Sequence, residues 1–181
     1  NKIDSLKKAR LIFISGGDQN KFMKIVQKGP IYEAIHDAYK NGSTIAGTSA
    51  GAAVMSKKMI TGNSLNYPEY TGKYPSIEPE NIEIKEGLGL VDKLIVDQHF
   101  IKRQRMNRLI AVSLENPEEV CVGIDESTAI VVTGNSFRVT GENQVIVLRN
   151  KNKSRHVKSN LLGGKNLMLD VLLPGELFRF K

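Results

Sequence analysis

An α/β fold, with a mostly parallel sheet covered by helices on both faces, is predicted by three features of the sequence. Short apolar runs alternate with helix-patterned segments from Leu11 to Ile124. The intervening segments are long enough for crossover connections, which join parallel neighbours. After Ser127 the rhythm changes to brief strand-like runs separated by Gly-Asn and Gly-Glu-Asn turns, which predict antiparallel hairpins at an edge of the sheet.

Taken in order, Leu11-Ile12-Phe13-Ile14 reads as a buried strand that stops at Gly16-Gly17. A short helical stretch carries Phe22, Ile25 and Val26. Next, Ile31, Ala34, Ile35, Ala38 and Tyr39 recur at the spacing of an amphipathic helix, opened by Pro30 and ended by Gly42. A strand follows over Thr44, Ile45 and Ala46, and Ala50 to Met55 begins another helix. The Pro-, Tyr- and Asn-rich stretch over residues 61–86 predicts a long loop, of the kind that often forms an active-site lid. Beyond it lie a strand at Leu94-Ile95-Val96, a helix with Met106, Leu109, Ile110 and Ser113 on one face, and a strand over Val120–Ile124. Residues 129–132, 137–140 and 145–148 supply the hairpin strands.

The chain's 181 residues suit one domain with a sizeable core. Apolar residues make up 40% and charged residues 25%, the balance of a globular protein rather than a disordered one. No apolar run approaches the roughly 20 residues that span a bilayer, so no membrane span is expected. The formal charge of +7 comes mainly from scattered lysines without interleaved aromatics, which argues against a nucleic-acid partner. The lone cysteine, Cys121, reads as a buried strand thiol, and no Cys/His cluster has metal-ligand spacing. Neither metal nor cofactor is expected. The opening Asn1-Lys2-Ile3 has no initiator Met and no leader pattern, so a longer product is expected; a cytoplasmic location is favoured, with a secreted form left open.

Gly47-Thr48-Ser49-Ala50-Gly51 places a serine in Gly-x-Ser-x-Gly between a strand and a helix. Such a serine can occupy a sharp turn that projects its hydroxyl into a cleft, and the Ala50 amide at the helix start can stabilise an oxyanion. Gly-rich turns of this kind also serve packing or bind phosphate, although a Walker-type loop needs a Gly-Lys-Ser/Thr sequence that is absent here. Ser49 is therefore the candidate nucleophile. It needs a base, and the chain has three histidines. His99 follows a strand at its carboxyl end, where open parallel sheets place their ligands, and is preferred over His36 on a helix and His156 in a polar loop. Glu126, just past the strand at Val120–Ile124, is the candidate partner for His99. Asp97 and Asp125 compete with it, and each can equally be a solvated or capping acid.

With these motifs in view, the sequence resembles peptidase family S51, and within it the members that degrade cyanophycin. Four segments carry the resemblance: Ser15-Gly16-Gly17-Asp18-Gln19, Gly47-Thr48-Ser49-Ala50-Gly51-Ala52, Asp97-Gln98-His99-Phe100 followed by Arg103, Arg105 and Arg108, and Gly123-Ile124-Asp125-Glu126 with Thr128-Ala129. The resemblance implies a Ser49, His99, Glu126 triad, an oxyanion hole from the Gly17 and Ala50 amides, and a flavodoxin-like sheet related to class I glutamine amidotransferases. It also implies a homodimer, and further strand–helix units before the Gly-Gly-Asp-Gln strand.

The substrate so implied is cyanophycin, a polyaspartate with arginine amide-linked to its side chains, released as β-aspartyl-arginine dipeptides. Its free carboxylates call for fixed cations, for which Arg103, Arg105 and Arg108 are suited by their planar forks. At roughly 100° per residue, Arg105 and Arg108 lie about 60° apart on a helix and Arg103 well round from both. If the helix already includes Arg103, all three cannot line one pocket, and Arg105 is the best candidate. Asp18, Gln19, Asp97 and Gln98 are expected as polar substrate contacts. Another S51 activity, such as an α-aspartyl or isoaspartyl dipeptidase, and a catalytically silent binding homologue are the alternative readings.

Overall fold

The computed structural model describes residues 2–69 and 74–180. Helix α1 (Lys2–Lys7) leads into strand β1 (Leu11–Ile14), and α2 (Gln19–Val26) and α3 (Pro30–Lys40) return the chain to β2 (Thr44–Gly47). Asp18 caps α2 by accepting from the amides of Asn20 and Lys21, while Pro30 at the start of α3 has no amide to leave unpaired. These helices form a crossover, so β1 and β2 pair in parallel, Leu11 opposite Thr44 and Ile14 opposite Gly47. A single turn of helix, α4 (Ala50–Ala53), follows, shorter than the sequence pattern suggests. The chain leaves it at once because Ser56 bridges to Val91.

Strands β3 (Lys58–Ser64) and β4 (Ile82–Glu86) form an antiparallel pair. Residues 61–86 are thus not one long loop. Their ends are strand, concealed in the sequence by the Gly62-Asn63 turn signal, which here marks a bulge rather than a turn. The remaining connection includes residues 70–73, which lie outside the described residues. Within it, Glu78 accepts hydrogen bonds from the Ser76 and Tyr67 hydroxyls and from Asn66 Nδ2. Those donors, Ser76 foremost, hold its carboxyl below the usual range against the opposing effect of burial. A depressed folded pKa contributes stability that is present above the ordinary carboxylate value and lost as pH falls through the folded one. The urea midpoint is therefore expected to drop between about pH 7 and about pH 3, and the drop to be smaller in Glu78→Gln; equal slopes in both proteins would remove Glu78 from the acid response.

Strand β5 (Leu94–Gln98), helix α5 (Met106–Glu115) and strand β6 (Val120–Ile124) make the second parallel unit, with Leu94 opposite Val120. The inner face of α5 packs Leu109, Ala111 and Val112 into a core with Ile95 and Cys121. Full burial of a side chain such as Leu109 stabilises the fold by about 2 kcal/mol. Cys121 is buried, and burial pushes its thiol pKa up.

The rest of the chain is β-structure: β7 (Thr128–Thr133), β8 (Ser136–Gly141), β9 (Val145–Arg149), β10 (His156–Lys158), β11 (Leu161–Gly163), β12 (Met168–Leu172) and β13 (Leu177–Arg179). Strands β7 and β8 form the expected hairpin, extended by β13. Strand β9 instead pairs antiparallel with β6, giving a sheet in the order β12-β9-β6-β5. The architecture is mixed α/β, and the expectation of a mostly parallel sheet is overturned. Among the described residues two of the eight strand pairings are parallel. Those two carry helical crossovers, whereas tight turns reverse the chain between β7 and β8 and between β10 and β11, and the other antiparallel partners meet across longer connections. Strand β1 is not buried on both faces either: Ile12 and Ile14 face the core, while Leu11 and Phe13 on the opposite face are 58% and 63% exposed. Among the described residues no helix is long and apolar enough to cross a membrane.

Candidate active site

The site lies where four strands end. Gly16 and Gly17 follow β1, Ser49 follows β2, His99 follows β5 and Glu126 follows β6. The turn at Ser49 is made possible by its glycines. A Cβ on Gly47 would stand 2.2 Å from the Gly51 carbonyl oxygen, and one on Gly51 would stand 2.1 Å from that of Ile14. Only bare backbone permits the helix to start so close to the two strands. Ser49 itself has φ 54° and ψ −116°, a conformation that costs on the order of 1–3 kcal/mol and that sharp turns at functional sites retain. The amides of Gly51 and Ala52 bond to the carbonyls of Thr48 and Ser49. The Ala50 amide, first in α4, has no intrahelical carbonyl within reach.

Ser49 Oγ lies 3.0 Å from His99 Nε2, and His99 Nδ1 lies 3.1 Å from Glu126 Oε1. His99 is reached through a turn tied to the neighbouring strand, since the Phe100 amide donates to the Ile124 carbonyl. The Phe100 ring then covers Gly123, where an added Cβ would meet it at 2.4 Å. That contact explains the Gly in Gly-Ile-Asp-Glu. The Glu126 carbonyl accepts from Thr128 Oγ1 and Asn143 Nδ2, which fix the turn carrying the carboxylate. Asn143 has no sequence signal of its own, because its contact forms only when β7 and β8 fold back. The other two histidines stand elsewhere: His36 Nε2 is 2.8 Å from the Leu88 carbonyl, and His156 lies on β10. Asp125 accepts from the Lys102 amide.

A cavity of about 320 Å³ opens beside Ser49 and is lined by Gly17, Asp18, Gln19, Asn20, Thr61, Gly62, Asn63, Gln98, Arg103, Arg105 and Arg108. All three arginines line it because α5 begins at Met106, so that Arg103 precedes the helix and escapes its geometry. Asp97 does not line the cavity, contrary to its expected role as a substrate contact. It is 1% exposed beneath the arginines, neither a solvated acid nor a helix cap. Arg108 Nε donates to Asp97 Oδ2 at 2.8 Å and its Nη2 to Oδ1, with Nη1 on the Tyr74 hydroxyl. Burial lowers the pKa of the Arg108 guanidinium, but the charge and hydrogen bonds of Asp97, with help from Tyr74, more than reverse this and raise it. Arg105 Nη1 donates to the Gln98 carbonyl at 2.6 Å and to Gln98 Oε1 at 3.1 Å. Gln98 thus orients an arginine as well as lining the cavity. Gln19 Nε2 donates to the carbonyls of Ile60 and Thr61. Asn20, Thr61, Gly62 and Asn63 are cavity residues that the sequence does not single out, three of them hidden in the stretch that reads as loop.

The sequence model of peptidase family S51 matches residues 1–140. A relative from Trichormus variabilis named cyanophycinase is 34% identical over 181 residues, covering 96% of this chain and 58% of the relative. One from Pasteurella multocida named peptidase E is 25% identical over 152 residues, covering 78% of this chain and 58% of the relative. The chain therefore spans under two thirds of the length of these relatives. Among solved structures, a peptidase from an acI-B1 Actinobacterium matches in fold with a TM-score of 0.69 at 24% identity, over 98% of this chain and 62% of that one.

Proposed function

The chain belongs to peptidase family S51, and on that premise we propose that it is a serine-type exopeptidase that hydrolyses cyanophycin to β-aspartyl-arginine dipeptides. The observation that carries the reading is the hydrogen-bond chain from Ser49 through His99 to Glu126. His99 Nε2 takes the Ser49 proton as Oγ attacks the aspartyl carbonyl. Glu126 keeps the Nδ1 proton in place and stabilises the imidazolium that forms. The Gly17 and Ala50 amides receive the developing oxyanion. His99 then protonates the leaving amine, and after its departure deprotonates the water that releases the acyl group from Ser49. Arg103, exposed at the cavity, and Arg105 beside it meet substrate carboxylates, while Arg108 with Asp97 holds the floor. The 181 residues are read as one peptidase domain acting in a homodimer with a flavodoxin-like sheet, as the family resemblance implies.

A serine-directed acylating reagent is expected to label Ser49 and to fail on His99→Ala; labelling at an undiminished rate in that variant would take His99 out of the mechanism. A second reading, an α-aspartyl or isoaspartyl dipeptidase, is favoured by the similarity to peptidase E and by the fact that its substrates also carry carboxylates. Incubation with cyanophycin granules and, separately, with Asp-Xaa dipeptides decides between them. Release of β-aspartyl-arginine from granules supports cyanophycin, and free aspartate from dipeptides with inert granules supports the rival.

A further inference from the structure

The wall of the cavity made by Thr61, Gly62 and Asn63 is a bulge. Ile60 pairs with Ile84 and Ser64 with Ile82, so three residues of β3 face Glu83 alone. Gly62, at φ 91°, allows the bend. Bulges of this kind re-aim side chains beside active sites. Two sets of bonds fix this one. Gln19 Nε2 and Asn20 Nδ2 both donate to the Thr61 carbonyl. On the other side Thr61 Oγ1 and Asn63 Nδ2 converge on one oxygen of Glu83, at 2.7 Å and 2.9 Å, while Lys85 Nζ takes the second at 2.8 Å. Lys85 and these donors keep the Glu83 carboxyl below its usual range against the opposing effect of burial.

An ionised carboxylate only accepts, so it fixes which end of the Asn63 amide faces it. The amide nitrogen is held by Glu83 and the oxygen is directed elsewhere. Asn63 is exposed, lines the same cavity as Ser49, and its Oδ1 has no hydrogen-bond partner among the described residues. The arginines that share that cavity offer donors only. A fixed acceptor beside them complements a ligand that carries an N–H donor as well as a carboxylate. We propose that Asn63 is a specificity-determining residue whose Oδ1 accepts a hydrogen bond from an N–H donor of the bound aspartyl peptide, and that Glu83 is the positioning residue that orients it. This rests on the reading of the site as that of an aspartyl peptidase, and it commits to arginyl N–H groups, either the guanidinium or the amide.

The test is calorimetric binding of β-aspartyl-arginine to the Ser49→Ala form, which separates binding from turnover. Asn63→Ala, at an exposed position, is expected to raise Kd about tenfold. Glu83→Ala should do the same, and Lys85→Met, which leaves the carboxylate facing Thr61 and Asn63, should keep most of the affinity. With β-aspartyl-leucine the Asn63→Ala penalty vanishes if the guanidinium is the donor and persists if the amide is. An unchanged Kd in Asn63→Ala, or no binding of the dipeptide at all, overturns the inference. An unchanged Kd in Glu83→Ala beside a weakened Asn63→Ala removes Glu83 from it. Inert cyanophycin granules together with a tenfold effect at Asn63 would instead overturn the proposed reaction and leave the binding role standing.

Discussion

Replacing Ser49 with Ala is expected to lower hydrolysis of the substrate by a factor on the order of 10⁴ or more, with melting temperature and circular dichroism unchanged. The size follows from the site's arrangement. In the proposed mechanism His99 and Glu126 act on the proton of Ser49 Oγ, so without that oxygen their hydrogen bonds have nothing to activate. What would be left is the cavity and the proposed oxyanion donors, which bind without forming an acyl group. The fold should be indifferent, because Ser49 is only partly buried and the one hydrogen-bond partner of Oγ among the described residues is His99. Activity within a few fold of the parent would sink the assignment of Ser49 as nucleophile.

The second large effect falls on stability. Asp97→Ala is expected to cost about 3–5 kcal/mol in chemical denaturation, because it leaves the Arg108 guanidinium buried without its counter-charge. Arg108 is 2% exposed and Asp97 1%, so water cannot replace the lost partner without opening the core. The cation–π contact of Arg108 with Tyr74, 5.4 Å from the ring centroid, is too small a compensation. Activity should fall as well, since Arg105 reaches Gln98 from the same cluster. A loss below about 1 kcal/mol would show that Arg108 finds another partner or leaves the interior.

These two predictions differ in how far the sequence could carry them. The spacing of Gly47, Ser49 and Gly51 between an apolar run and a small-residue run is a local pattern. The close approach of Gly47 and Gly51 to backbone oxygens gives the reason that pattern exists. His99 and Glu126 are also legible, each within two residues of the carboxyl end of an apolar strand, with Asp125 the competitor for the second. Strand ends in a crossover sheet converge, so the position in the chain predicts proximity. Asp97 is a different matter. As one acid in a polar stretch it has no pattern that separates a buried anchor from a surface charge. Its role appears only when α5 folds back and sets Arg108 against it.

The β3 bulge shows the same limit from another side. Gly62-Asn63 has the residue types of a tight turn. Its position opposite Glu83 requires a partner strand some 20 residues away, and hydrogen bonds to Gln19 and Asn20 that are more distant still. The three arginines make a related point, since helical spacing bears on them only once the first residue of α5 is known. Strand partners are hidden in the sequence for the same reason. Apolar runs specify strands, but whether a strand is parallel depends on the connection and on which neighbour it finds. Strand β9 finds β6 rather than β8, its neighbour in the chain.

By itself, then, the sequence determined the local elements that carry Ser49, His99 and Glu126, because each depends on glycines, apolar runs and breakers within a few residues. Only the tertiary structure decided the antiparallel majority of the sheets, the burial of Asp97 beneath the arginines and the wall formed by Thr61, Gly62 and Asn63. Those features depend on contacts between segments far apart in the chain, whose energies no local pattern records.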